Sequence, residues 1–123
     1  MKDAIVVERT GKVLAVRVRW AGSSRERRRG LLDGPPLEGD EGLVIPGAFQ
    51  VHTFGMTYPI DVVFCSRAWI VKRVVRNMPP GRISRPSAAR YAVELTGGRA
   101  SAVRVGDRLV VDQPLSDQPL SER

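Results

Sequence analysis

The chain has 123 residues, 42 % hydrophobic and 27 % charged, the composition of one ordinary globular domain rather than of a disordered chain. Its formal charge is +7, and it holds a single cysteine and a single histidine. One cysteine excludes an internal disulfide framework, one Cys with one His cannot build a zinc finger, and no apolar run approaches the ~20 residues of a membrane-spanning helix.

Met1 to Ile5 lacks the charged segment and apolar stretch of a secretory signal, so a cytoplasmic protein is expected. Ala4 to Arg9 reads as a strand and Thr10-Gly11 as a turn. Lys12 to Trp20 follows, with Leu14, Val16, Val18 and Trp20 on one face and Arg17 and Arg19 opposite. The two runs make a β-hairpin whose second strand has one wet and one buried face. Ser24 is a candidate N-cap for a short helix over Arg25 to Leu32, stopped by Gly34-Pro35-Pro36. Glu38 to Glu41 is an acidic loop.

Gly42 to Ile45 is a short strand ended by Pro46-Gly47, and Val51 to Phe54 lies in a second extended run. Gly55 to Tyr58 is a loop. Pro59 to Phe64 and Trp69 to Arg76 are rich in β-branched and aromatic residues and form strands joined through Ser66-Arg67-Ala68. The nearly unbroken apolar run Ile60 to Cys65 should be buried on both faces. Asn77 to Ser87, with Pro79, Pro80 and Pro86, is a stiff extended loop. Tyr91 to Leu95 is a strand ended by Thr96-Gly97-Gly98. Arg99 to Val103 is expected as one helical turn, Val105 to Asp107 as a turn, and Arg108 to Asp112 as the last strand. Asp112 to Ser116 is then repeated as Asp117 to Ser121, a polar, proline-bearing duplication. Residues 1–112 are therefore expected as a single globular domain and 113–123 as a flexible polar tail.

The expected class is α+β, mainly antiparallel β: a compact sandwich or partly closed barrel of about eight short strands with one or two short helices. Strands do not alternate with long helices, which argues against a parallel doubly wound sheet.

The run from Val51 to Phe64, His-Thr-Phe-Gly-Met-Thr-Tyr-Pro-Ile-Asp-Val-Val at its centre, resembles the prokaryotic family called domain of unknown function 192. Arg29-Gly30-Leu31-Leu32, Gly42 to Ile45, Asn77 to Pro80, Ala92 to Leu95 with Gly97-Gly98, and Val105 to Leu109 match further family motifs in order. The likeness spans about residues 12 to 111. It implies a small, mainly antiparallel β fold with minor helices, and it implies no activity. Gly55 departs from the bulky residue common before the methionine, and Arg67-Ala68-Trp69 from the usual acidic-glycine hairpin turn.

Six residues are candidates for a pocket: Arg29, His52, Thr53, Met56, Asp61 and Glu94. His52 is the only imidazole, available as a base or a ligand, or as a plain hydrogen-bonding residue at a barrel end. Asp61 sits inside an apolar strand, where a carboxylate needs partners. The amides of the Gly55 to Tyr58 loop, Thr53, Thr57, His52 and Arg29 are the candidates. Glu94 lies between Val93 and Leu95, and with Asp61 it could form a carboxylate pair for acid–base work. Cys65 with His52 is a conceivable dyad, against the alternative of a buried small hydrophobe. Asp107 after Gly106 should close a turn. Gly97-Gly98 lacks the spacing and lysine of a phosphate loop.

The reading these residues support is a binding or accessory module with a polar pocket near His52, Met56 and Asp61. Its partner would be an unknown small ligand or protein, with no cofactor, metal or membrane span expected. One alternative is an acid–base or hydrolase-like enzyme using His52, Asp61 and Glu94. Another is a nucleic-acid binder using the Arg25 to Arg29 helix, which dispersed charge and few exposed aromatics disfavour.

Overall fold

The computed structural model describes residues 4–21 and 37–111. β1 (Ile5–Val7) and β2 (Val13–Ala15) form the expected antiparallel hairpin. β8 (Leu109–Val111) pairs with the other edge of β1, giving a three-stranded sheet in the order β2-β1-β8. A five-stranded sheet contains β3 (Arg17–Trp20), β4 (Glu41–Pro46), β5 (Ile60–Cys65), β6 (Val71–Met78) and β7 (Tyr91–Thr96), in the order β3-β4-β7-β5-β6. Its pairings are antiparallel except that of β3 with β4, which is parallel.

Successive residues of a strand face opposite sides of its sheet. On one side of the large sheet, Val44, Val63 and Val93 pack against Ile5, Leu14 and Leu109 of the small sheet. The two sheets come so close that a side chain on Gly42 would meet Ala15 Cβ and Leu95 Cδ2 at 3.2 Å. On the other side, Leu43, Ile45, Val62, Phe64 and Ala92 are covered by connecting chain, including Leu37 and Val51. β5 is therefore buried on both faces, and all six of its residues are inaccessible, as its apolar run implies.

Several expectations need correction. Of the expected sandwich or partly closed barrel, there is no closed barrel: the eight strands lie in two separate sheets that stack. The run Lys12 to Trp20 is two strands, not one. It breaks at Val16, which is 41 % exposed, because the Val16 and Arg17 amides both turn to the Asp40 carbonyl (2.9 and 3.4 Å) and carry the chain from the small sheet to the large one. β6 starts at Val71 because Trp69 takes a left-handed conformation (φ 64) in the turn after β5. The extended run at Val51 to Phe54 joins neither sheet. It pairs with the proline loop through a bridge between His52 and Ile83.

Among the described residues there is no helix. The expected helix over Arg25 to Leu32 lies outside them, as does the tail 113–123. The expected helical turn at Arg99 to Val103 is instead a chain of tight turns, Arg99 to Thr96, Ser101 to Gly98 and Val103 to Ala100. Gly98, with φ +93, precedes Arg99, and within these turns the Ala100 amide is bonded to the Asp61 carboxylate rather than to a helical carbonyl. Asp107 closes a turn as expected: its Oδ2 accepts the Arg104 amide at 2.9 Å, and Arg9 clasps both of its oxygens (2.7 and 3.0 Å). That pairing pulls the Asp107 carboxyl down to about 2.

Candidate functional site

Asp61 is held by backbone. β5 and β6 pair Ile60 with Met78 and Val62 with Val75, so Arg76 and Asn77 together face Asp61 across a β-bulge. Asn77 is left-handed there (φ 50), and its amide donates to Asp61 Oδ1 at 2.8 Å. The second oxygen, Oδ2, accepts the Ala100 amide at 2.7 Å. The partners are thus two amides distant in sequence. None of the expected ones, the Gly55 to Tyr58 amides, Thr53, Thr57 or His52, bonds to Asp61. The bulge leaves an amide that the ladder cannot use, and a buried carboxylate is the group that satisfies it.

Glu94 takes the other face. On β7 it lies opposite Leu43 of β4 and Val62 of β5, both in the loop-covered core. Asp61 lies opposite Leu95, which belongs to the core between the sheets. The two carboxylates therefore sit on neighbouring strands but on opposite sides of one sheet, and the carboxylate pair conceived from sequence does not form. Glu94 is 3 % exposed, its Oε2 has no hydrogen-bond partner, and burial pushes its carboxyl up to about 8. An acid so placed keeps its proton at neutral pH.

Of the other candidates, Met56 packs half-buried against the core that Glu94 faces. Thr53 is buried and tied into the neighbouring loop: its Oγ1 donates to the Pro79 carbonyl at 2.6 Å and accepts the Arg82 amide at 2.9 Å. His52, between buried Val51 and Thr53, faces outward beside exposed Ile83. Its ring stacks on Phe54 with centroids 5.3 Å apart, and Nδ1 accepts the Phe54 amide at 3.3 Å, leaving the proton of a neutral ring on Nε2. Arg29 lies outside the described residues. Cys65 is buried in the core between the sheets, its thiol pushed up to about 12 by burial, so it makes no dyad with the outward-facing His52. The structure gathers Met56 and Glu94 on one face and leaves His52 and Asp61 each elsewhere. Among the described residues no group of three His, Cys, Asp or Glu is placed to hold a metal ion.

Sequence reasoning passed over the exposed pair Phe49 and Phe54. The signal was there in the alternation: with Val51 and Thr53 inward, Phe54 must follow His52 outward.

One family model matches residues 5–111, a span that takes in the bulge at Asp61, the turn at Asp107 and the turn after β7. The chain belongs to the domain of unknown function 192 family. That family is described as an uncharacterised ACR, and the match takes in all eight strands. Two solved structures are similar to this chain in fold. One, from Sinorhizobium meliloti 1021, is described as a "putative transcription regulator"; it is 21 % identical with a TM-score of 0.73, covering 90 % of this chain and 94 % of that one. The other, a protein of unknown function from Novosphingobium aromaticivorans DSM 12444, is 21 % identical with a TM-score of 0.74, covering 89 % and 84 %. At that identity they show a common fold and carry no activity across. No curated protein matches the chain.

Proposed function

We propose that the chain is a small binding or accessory module whose site lies on the loop-covered face of the large sheet, at Glu94 with Met56 at its margin. One observation carries this reading: Glu94 Oε2 is buried without a hydrogen-bond partner. Buried polar groups in native proteins are nearly always satisfied, and an unpaired carboxyl with a strongly raised pKa is a functional-site signature. A protonated carboxyl offers one donor and free acceptor capacity, so the fitting ligand is a neutral hydrogen-bonding group, on a small molecule or a partner protein. This moves the site away from Asp61, whose two oxygens are already occupied.

The acid–base alternative needs His52, Asp61 and Glu94 within reach of one substrate. Their placement on the outside of a ribbon and on two faces of a sheet counts against it. The reading through the Arg25 to Arg29 helix rests on residues outside the described ones.

A thermal-shift screen of wild type beside Glu94→Leu, which removes both the donor and the acceptor at similar bulk, tests the proposal, since a ligand of the native state raises its melting temperature. Compounds should stabilise the wild type and lose that effect in the variant. Equal stabilisation of both proteins would place the site elsewhere, and a Glu94 carboxyl titrating near 4.5 by NMR would remove the reading's basis.

A further inference from the structure

Between residues 42 and 106 the chain has nine basic side chains and two acidic ones, Asp61 and Glu94. Both acids are buried. Exposed acidic residues instead gather near the opposite edge of the large sheet, where Glu38 and Asp40 pair with Arg17 at 3.0 and 2.8 Å. The surface around β6 and the loops beside it is therefore positive, with no exposed carboxylate of its own segment to neutralise it.

Within that surface one feature is built for planar partners. Residues 49–54 and 81–87 form a backbone-bonded ribbon: Thr53 N to Arg82 O and Ser84 N to Val51 O, both 2.8 Å, and Ser87 N to Phe49 O, also 2.8 Å. It turns Val51 and Ser84 inward and presents Phe54 (51 % exposed), Phe49 (55 %) and Ile83 (58 %) to solvent. Phe54 lies stacked on His52, making a two-ring ledge. Exposed Arg82 and Arg85 flank Ile83, and Arg73 of β6 reaches the ribbon by donating to the Arg85 carbonyl at 2.8 Å.

We propose that the outward side of this ribbon binds single-stranded nucleic acid, bases stacking on the Phe54–His52 ledge and Phe49 while Arg73, Arg82 and Arg85 meet the phosphates. Rings among cations are how sequence-tolerant single-strand sites are made. The cations at the ribbon are all arginines, whose planar forks pair with phosphate and stack on bases. A lipid surface is the less fitting anion, because the ribbon is short, pinned by its hydrogen bonds, and its rings lie against one another rather than splayed for insertion. The site is on the far side of the ribbon from Glu94 and does not depend on the role proposed for that residue.

The test is fluorescence anisotropy of a labelled oligothymidine of about 16 nucleotides, titrated with the full chain over a range of salt. Binding should weaken steadily as salt rises. Phe54→Ala should weaken it about fivefold or more, as loss of one stacking platform does. Arg82→Ala with Arg85→Ala should weaken it and flatten the salt dependence. Phe54→Leu, which keeps apolar bulk without the ring, guards against a folding defect and should also bind worse. Arg82→Ala alone should also bind worse, whereas Arg17→Ala, which removes the same single charge from the opposite edge, should bind like wild type. An equal loss in Arg17→Ala would reduce the effect to net charge and overturn the site. So would unchanged binding in both Phe54 variants, or capture of the protein by phosphatidylglycerol vesicles without any binding of the oligonucleotide.

Discussion

The carboxylate of Asp61 accepts the amide of Asn77 at 2.8 Å, across a bulge that leaves that amide no strand partner. Its other oxygen takes the Ala100 amide, so one side chain fastens β6 and the turns after β7 to the middle of the large sheet. Glu94, on the strand next to it, has the same chemistry and the opposite situation: buried, on the other face, unpaired.

Asp61→Asn keeps the shape but sets an NH2 against one of two backbone donors. It should destabilise the fold by about 1–3 kcal/mol, the range for leaving a buried donor unsatisfied. Urea denaturation measures it; a change within about 0.5 kcal/mol would mean that the two amides find other partners.

Asn77 stands at φ 50, a conformation that asparagine tolerates and β-branched residues do not. Asn77→Gly should be neutral or slightly stabilising, and Asn77→Val should cost about 1–3 kcal/mol. Equal melting temperatures for the two variants would show that the bulge is not held in that conformation.

Glu94 gives a pH signature. Its pKa is raised from 4.5 to about 8, so between those values the native state keeps a proton that the unfolded chain has released. Stability is then greatest below 4.5 and declines as pH rises toward about 8, by up to about 1.4 kcal/mol per pH unit from this group alone. Glu94→Gln cannot ionise, so it should lose that slope and exceed the wild type in stability at pH 8. Parallel stability–pH curves for the two proteins would contradict the buried, unpaired state.

Arg9 and Asp107 join β1's outgoing turn to the chain just before β8, and their pairing pulls Asp107 from 3.8 down to about 2. A depressed acid stabilises above its unfolded pKa, and that contribution fades as pH falls through about 2. Arg9→Ala should therefore melt below the wild type at pH 7, with the gap closing in strong acid. A gap that persists at the lowest pH would assign the effect to packing of the arginine stem instead.

The order of strands, the double burial of β5 and the turns at Gly11, Gly98 and Gly106 follow from the sequence, because period-two patterning, apolar runs and glycine punctuation act over a few residues. The break at Val16 did not show there, since Leu14, Val16, Val18 and Trp20 keep a perfect alternation; only the Asp40 carbonyl, met in space, turns the chain between sheets. The candidate site divides in the same way. That Asp61 would be a buried carboxylate could be read from its apolar neighbours, whereas Glu94, between Val93 and Leu95, read equally well as a solvent-facing strand residue and is buried only because the connecting chain covers its face. Which partner each would find could not, because Asn77 and Ala100 are brought to Asp61 by the register of β5 against β6 and by the turns after β7. A shift of one residue between β5 and β7 would set Asp61 opposite Glu94 on one face, and register is fixed by the packing of whole strands rather than by the residues that carry the chemistry.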